Sequence, residues 1–89
     1  MYTPRILKSA ERELERLDPP VARRILDRIR WLAEHFDEIT PEPLKGELSG
    51  LFKCREGDYR IIYQPIRGEM LIVVHEIGHR SHIYKKAKS

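Results

Sequence analysis

Residues 50–63 read GLFKCREGDYRIIY and decide the fold. Apolar and polar side chains alternate on both sides of Gly57-Asp58, a pair that suits a two-residue turn with glycine first. The pattern therefore predicts a β-hairpin with strands over residues 51–55 and 59–64.

The register of this hairpin divides its side chains between two faces, because residues that face each other share a side of the sheet. The predicted apolar face comprises Phe52, Cys54, Ile61 and Tyr63, and the predicted cationic face comprises Lys53, Arg55, Arg60 and Gln64. Arg55 lies opposite Arg60, and like charges in this arrangement destabilise a strand pair by up to about 1 kcal/mol. We expect the cationic face to bind an anion, with a nucleic-acid backbone as the obvious one. The alternative is that these side chains simply extend into water.

Before the hairpin, apolar residues recur at helical spacing. A helix is predicted from Lys8, and the Asp-Pro-Pro of residues 18–20 interrupts it, because proline fits the first turn of a helix but not its interior. Asp18 is the expected N-cap of a second helix. Trp31 and Phe36 of that helix are assigned to the core, and its apolar stripe comprises Val21, Ile25, Ile29, Leu32, Ala33 and Phe36.

Shorter segments complete the predicted sheet. Residues 2–7 are expected to form an edge strand at best, since Pro4 removes a backbone donor, and residues 37–43 are interpreted as a polar loop. Residues 70–77 and 80–84 are predicted strands. This order predicts an α+β sandwich, with two antiparallel helices packed on one face of a mainly antiparallel sheet of about four to five strands.

Composition excludes several classes of protein. The chain has 89 residues, which suits a single domain over residues 1–89. With 40% hydrophobic and 35% charged residues, it is too apolar for a disordered chain and too polar for a membrane protein. We expect no secretory signal and no transmembrane helix. The single cysteine, Cys54, rules out an intrachain disulfide and favours the cytoplasm.

Charge is distributed unevenly along the chain. Residues 1–43 carry 8 Lys and Arg and 9 Asp and Glu, a net charge of −1, whereas residues 44–89 carry 9 and 5, a net charge of +4. A basic second half in a chain of pI 9.2 suggests a polyanionic partner, which leaves RNA, DNA and acidic protein open.

The predicted last strand adds to the cationic face. Alternation over residues 80–84 places Arg80, His82 and Tyr84 on one side and leaves Ile83 to pack inward. If the core takes Ile83, the other three join the cations of the hairpin, where Tyr84 is placed to stack on a base.

At these residues the sequence resembles a known family. Leu44-Lys45-Gly46, residues 50–55, residues 57–63, and residues 77–80 followed by Ile83-Tyr84 resemble the RelE/ParE superfamily of toxins from toxin–antitoxin systems. The resemblance covers nearly the whole chain and implies the RelE/ParE-like, microbial RNase-like fold. It also implies a cognate antitoxin as partner, with DNA contacted only through that antitoxin, and no membrane.

The superfamily has two branches with different activities. RelE-like members cleave mRNA in the ribosomal A site, whereas ParE-like members inhibit DNA gyrase and generally lack the cationic set. The RelE pattern has a lysine before the hairpin turn, an arginine within the hairpin, and an arginine and a tyrosine near the C terminus. Those positions are Lys53, Arg60, Arg80 and Tyr84 here, which favours the ribonuclease.

One departure from the RelE pattern keeps two alternatives open. A second lysine often lies two residues before the first, and this chain has Leu51 there. Arg55 and His82 are candidates to compensate. The alternatives are a ParE-like gyrase inhibitor and a catalytically impaired homologue that only binds an antitoxin.

The resemblance implies RNA cleavage by attack of a ribose 2′-OH on the adjacent phosphate, with ribosome and mRNA as partners. This reaction needs a base, positive charge around the phosphorane and an acid, and it needs no metal or other cofactor. Lys53 is the candidate base, because neighbouring arginines favour its neutral amine, and Arg60 stabilises the developing charge. Arg80 binds phosphate and occupies the acid position by analogy, with His82 as the rival acid.

Further residues complete the expected site. Tyr84 is expected to stack on or orient a base, and Arg55, Lys45, Lys85 and Lys86 are expected to bind the substrate. A metal site is not expected, because the spacing of the histidines and of Cys54 fits no zinc pattern.

Overall fold

The computed structural model describes residues 1–83 and places two helices on one face of a five-stranded sheet. The helices and strands are β1 (Thr3–Ile6), α1 (Lys8–Arg16), α2 (Pro19–His35), β2 (Glu42–Pro43), β3 (Phe52–Glu56), β4 (Tyr59–Ile66) and β5 (Leu71–His79). The strand order is β1-β5-β4-β3-β2; β1 runs parallel to β5, and the other neighbours are antiparallel. The predicted fold class is confirmed. Neither helix has the length and apolar character needed to cross a membrane within the described part of the chain.

The predicted break between the helices is confirmed at Asp18. α1 ends at Arg16 and α2 begins at Pro19, where the fixed φ of proline suits a first turn and its missing N–H leaves no bond unmade. The carbonyl oxygen of Asp18 accepts hydrogen bonds from the backbone N–H groups of Val21 at 2.9 Å and Ala22 at 3.0 Å. The carboxylate itself makes no capping bond, so the backbone and the prolines start this helix.

The core lies between the helices and the sheet, in two clusters. One cluster comprises Ala10, Ile25, Ile29, Ile61, Val74 and Ile77, and the other comprises Tyr2, Leu32, Ala33, Phe36, Tyr63 and Ile72. Phe52 and Cys54 pack against them, which confirms the predicted apolar face of the hairpin. The assignment of Trp31 to the core is wrong, since this side chain is 38% exposed. Ile29 and Leu32 take the inward positions of α2, and Trp31 falls on the flank between them and solvent.

The hairpin has the register that its sequence predicts. Phe52 pairs with Tyr63, Arg55 with Arg60, and the intervening pairs follow. Gly57 opens the turn at φ +58°, a conformation that glycine adopts without strain. β4 and β5 each extend two residues beyond the predicted end, and a bulge between residues 62 and 63 interrupts their pairing.

The predicted loop over residues 37–43 contains a short strand that its sequence does not reveal. Glu42 pairs with Lys53 and Pro43 with Phe52, and the backbone N–H of Leu44 donates to the carbonyl oxygen of Leu51 at 2.9 Å. Two residues flanked by a proline show no alternation, so only the pairing with β3 identifies β2.

The prediction of a strand over residues 80–84 is wrong for its described part. Residues 80–82 form a turn, and Ile83 begins a helical segment. β5 reaches the end of its partner at His79, which pairs with Tyr59, the first residue of β4. The next N–H, that of Arg80, donates to the carbonyl oxygen of Asp58 in the hairpin turn at 2.8 Å. Ile83 is fully buried as predicted, and Tyr84 lies outside the described residues.

Candidate active site

The β3–β4 hairpin places three predicted cations on one face of the sheet. Lys53 faces Ile62 and Arg55 faces Arg60, and facing residues share a side of the sheet. Arg55 is exposed, Lys53 and Arg60 are half-buried, and Ile62 is fully buried. The cationic face predicted by the alternation is present, and its charges border a buried aliphatic side chain.

A carboxylate that sequence reasoning missed contacts two of these cations. Glu42 Oε2 accepts a hydrogen bond from Arg55 Nη2 at 3.3 Å and lies 3.8 Å from Lys53 Nζ. The side chains of Lys53, Arg55 and Glu42 are 24%, 56% and 50% exposed. Water therefore screens both ion pairs, and each contributes under about 1 kcal/mol. These three side chains, the Glu42 cluster, carry a formal net charge of +1.

The backbone of the hairpin turn holds Arg60. Its Nη1 donates to the carbonyl oxygens of Gly57 and Tyr59, both at 3.0 Å. Arg55 is meanwhile bonded to Glu42, so each of the two facing arginines has an acceptor of its own. The chain itself relieves the like-charge repulsion, which means that a phosphate has to compete with these contacts.

Arg80 meets the same turn from the end of β5. Its Nε lies 3.8 Å from Asp58 Oδ1, and the two side chains are 63% and 69% exposed, so this ion pair is weak. Arg60 and Arg80 are thereby brought together at the turn of the hairpin. Lys53 is a diagonal neighbour of Arg60 across β3 and β4. The backbones of two residues in this relation are usually about 7–8 Å apart. The hairpin thus gathers Lys53, Arg60 and Arg80 into two groups, one at Glu42 and one at the turn. His82 belongs to neither group and lines a cleft with Leu17, Tyr59 and His79.

A polar network follows Arg80 in the turn after β5. Ser81 Oγ lies 2.8 Å from Nδ1 of His79 and 2.8 Å from Nδ1 of His82. The backbone N–H of Ser81 donates to Nδ1 of His79 at 3.2 Å, so neutral His79 carries its proton on Nε2. The rings of His79 and Tyr59 meet edge to face, with centroids 5.6 Å apart. Ser81 therefore links His82 to the end of the sheet.

The remaining predicted residues lie elsewhere. Lys45 is exposed and precedes a short 3₁₀ helix, Gly46–Leu48, and Tyr84, Lys85 and Lys86 are outside the described residues. Over residues 1–83, no group of three or more His, Cys, Asp and Glu side chains is placed to hold a metal ion.

Two titratable groups lie on the helix side of the hairpin. Burial raises the pKa of the Cys54 thiol above its ordinary 9.0, and the neighbouring Arg28 opposes this effect only in part. Burial also raises the pKa of the Tyr63 hydroxyl. Cys54 is a protonated thiol at neutral pH and is a poor nucleophile.

A mixed five-stranded sheet covered on one face by two helices is also the fold of solved RelE toxins. Comparison with known proteins identifies the family directly. The family described as "ParE toxin of type II toxin-antitoxin system, parDE" matches residues 5–84. The chain belongs to this family, within the RelE/ParE superfamily, and is the toxin of a toxin–antitoxin pair.

Curated relatives and solved structures agree with this membership. Toxin RelG of Mycobacterium tuberculosis is 33% identical over an alignment of 91 positions, which covers 96% of this chain and 98% of that protein. Toxin RelE of the same organism is 29% identical over 84 residues, which cover 94% of this chain and 87% of that protein.

Among solved structures, the RelBE2 toxin–antitoxin complex of M. tuberculosis has a TM-score of 0.80 and 29% identity, and the match covers 89% of this chain and 98% of that chain. The isolated E. coli RelE toxin has a TM-score of 0.73 and 23% identity, and the match covers 99% of this chain and 96% of that chain; this likeness supports the fold alone.

Proposed function

We propose that this toxin inhibits translation as a ribosome-dependent endoribonuclease that cleaves mRNA in the A site. The observation that carries the proposal is the placement of Lys53, Arg55 and Arg60 on one face of a hairpin whose turn also contacts Arg80. The names of the two curated relatives, RelG and RelE, support the RelE-like branch.

The proposed reaction is an internal transfer at phosphorus. The ribose 2′-oxygen attacks the adjacent phosphate, the P–O2′ bond forms and the P–O5′ bond breaks. The products are a 2′,3′-cyclic phosphate and a 5′-hydroxyl. A base takes the proton from the 2′-OH, an acid gives one to the departing 5′-oxygen, and fixed cations stabilise the charge that develops on the phosphorane.

Lys53 and Arg60 take the first two roles. Lys53 is half-buried and lies diagonally across the hairpin from Arg60, so its amine is the proposed acceptor of the 2′ proton. Arg60 presents a planar guanidinium that suits two phosphate oxygens at once. It exchanges the carbonyl oxygens of the turn for phosphate oxygens when substrate binds.

His82 is the proposed acid, and Arg80 binds the phosphate. A guanidinium does not release a proton at neutral pH, whereas an imidazole exchanges protons in that range. Ser81 Oγ contacts Nδ1 of His82, so donation to the 5′-oxygen takes place from Nε2. The stacking role of Tyr84 and the substrate contacts of Lys45, Lys85 and Lys86 remain predictions.

The test is cleavage of mRNA on a programmed ribosome, with naked RNA of the same sequence as the control substrate. The wild-type protein should cut the A-site codon at one position and leave the naked RNA intact. Lys53→Ala and Arg60→Ala should each slow cleavage by about 10²–10⁴-fold. Arg12→Ala removes an exposed cation from α1 and should have no effect. Full activity of Lys53→Ala would contradict its assignment.

A second function follows from the description of the matched family as a ParE toxin. A ParE-like protein would inhibit DNA gyrase without cutting RNA, and Leu51, in place of a lysine, also fits an impaired nuclease. Mapping of transcript 3′ ends after induction, together with a gyrase supercoiling assay, separates these functions. New 3′ ends in phase with codons support the nuclease, and loss of supercoiling without new ends supports the gyrase inhibitor.

The proposed partner is a cognate antitoxin that covers the basic surface in the cytoplasm and makes the DNA contacts of the pair. The solved complex of a similar toxin with its antitoxin supports this partner. Co-expression with the antitoxin should abolish cleavage and restore growth.

A further inference from the structure

A cavity of about 250 Å³ opens between α2 and β3, next to the Glu42 cluster. Its walls include Arg28 and Trp31 of α2, residues 39–42, and Lys53, Cys54 and Arg55 of β3. The pairing of β2 with β3 ends at Lys53, so no strand of β2 fills the space beside the next residues of β3. The cavity is therefore a consequence of the two-residue length of β2.

The size and floor of this cavity suit one flat, apolar ring system. Its volume is below the range of about 300–1,000 Å³ that is usual for pockets that bury a drug-sized ligand. Leu32, Ile39 and Tyr63 supply apolar surface at its inner end. A single ring system fits this space, and a longer group would extend into solvent.

The charges at the cavity favour an anion attached to that ring. Three cations line it, namely Arg28, Lys53 and Arg55, against one carboxylate, Glu42. Lys53 and Arg55 also belong to the cationic face of the hairpin. One ligand can therefore place its ring in the cavity and its phosphate on that face, which is the chemistry of a nucleotide.

Arg28 carries a donor for which residues 1–83 supply no acceptor. Its Nε is buried and has no hydrogen-bond partner among these residues, although most buried polar groups in proteins have one. Its guanidinium carbon lies 4.5 Å from the centroid of Trp31, and the Trp31 ring stacks on His35 with centroids 4.7 Å apart. Purines present N7 as an acceptor. A purine that lies in the cavity edge-on to Arg28, in the plane of its guanidinium, supplies the missing acceptor.

We propose that this cavity binds a purine base of the RNA, with its N7 accepting from Arg28 Nε and its phosphate lying on Lys53 and Arg55. The proposal rests on the proposed function, which supplies RNA as the substrate. It assigns part of the preference for particular RNA bases to Arg28 and Trp31, the α2 wall of a pocket that also includes the proposed base Lys53.

The test is a titration of ¹⁵N-labelled protein with GMP, AMP, CMP and UMP, followed at the arginine Nε–H resonances. The Arg28 signal, assigned with Arg28→Lys, should move downfield and saturate with GMP and AMP. It should require about tenfold more CMP or UMP, because one charge-assisted hydrogen bond is lost. Arg30 provides the control, since it lies on the same helix and is paired with Asp27 at the surface, 3.1 Å away.

Two further measurements sharpen the result. Trp31 is the single tryptophan, so its fluorescence should follow the same titration. Arg28→Lys keeps the charge and loses Nε, so it should still bind nucleotides but no longer prefer purines. Thermal unfolding of this variant confirms that it folds.

Charge-driven binding gives a different result. Equal shifts of Arg28 and Arg30 with all four nucleotides, or with inorganic phosphate alone, would overturn the purine pocket. So would a shift of Arg28 with an acidic peptide and with none of the nucleotides.

The ribosome assay separates this proposal from the proposed function. Cleavage that depends on Lys53 but has the same base preference in Arg28→Lys would contradict the pocket and leave the nuclease. Selective binding of purine nucleotides by a protein that cleaves no mRNA would contradict the nuclease and support the pocket.

Discussion

Replacing Glu42 with glutamine tests whether its carboxylate occupies the place of a substrate phosphate. Glu42 Oε2 lies 3.3 Å from Arg55 Nη2 and 3.8 Å from Lys53 Nζ. Glutamine has nearly the same size and no charge. The formal charge of the Glu42 cluster, +1 in the wild-type protein, therefore rises by one unit in Glu42→Gln.

The expected changes in stability and in RNA binding have opposite signs. Glu42 is 50% exposed and water screens both of its ion pairs, so their loss lowers the free energy of unfolding by under about 1 kcal/mol each. For a domain of this size, each kcal/mol lowers Tm by about 4–8 °C. One more phosphate contact on single-stranded RNA releases about 0.7 counterion, which increases the affinity about fivefold at about 0.1 M salt.

Fluorescence anisotropy of labelled single-stranded RNA at a series of salt concentrations measures the affinity for RNA and its dependence on salt. Thermal unfolding of the same two proteins measures the change in stability. The plot of log affinity against log salt should be steeper by about 0.7 in Glu42→Gln than in the wild-type protein. Glu69→Gln is the matched control, because Glu69 is exposed and lies beyond the other end of β4. An unchanged slope and affinity would refute the competition between Glu42 and phosphate. Tighter binding with slower cleavage would instead assign the base to Glu42 in place of Lys53.

Three further predictions concern the fold. Ile29 is 1% exposed between the helices and the sheet. Ile29→Ala should therefore lower the free energy of unfolding, measured with urea, by about 2–5 kcal/mol. A loss below about 1 kcal/mol would show that neighbouring side chains move in and fill the cavity. Gly57→Ala forces a side chain to adopt φ +58° and should cost about 1–2 kcal/mol in thermal unfolding, part of which Gly57→Asn recovers; equal stability of the alanine variant would contradict the strain.

Burial raises the pKa of Cys54, so the folded chain keeps a proton that the unfolded chain releases. Its contribution to stability is complete below the ordinary value of 9.0 and declines as pH rises above it. Urea titrations should show a smaller decline in Cys54→Ala, and parallel curves for the two proteins would contradict it.

The hairpin was predictable because every local signal in it agrees. Gly57-Asp58 marks the turn, the alternation on each side identifies the faces, and the resulting register is the observed one. Residues 80–83 alternate in the same way, but β5 has no residue of β4 to pair with after Tyr59. Alternation is a property of a segment, whereas pairing needs a neighbour elsewhere in the chain, and this difference explains the wrong strand.

The candidate site was predictable for the faces that its residues occupy and not for their contacts. Lys53, Arg55 and Arg60 share a face because of strand geometry alone. Their acceptors depend on side-chain conformation and on a strand too short to show a period, so Glu42 and the carbonyl oxygen of Gly57 were missed. Trp31 was misassigned because its apolar character suggested the core, while its position on α2 turns it outward.

The first strand of the chain lies beside β5, the last strand that the structure describes. Thr3 pairs with Leu71 and Ile6 with Val74, and β5 separates β1 from the rest of the sheet. During translation β1 has no neighbouring strand of the described sheet to pair with until residues 71–79 emerge, and pairings this distant in sequence form slowly. The edge of the sheet at β1 is therefore the last part of the described sheet to close during synthesis.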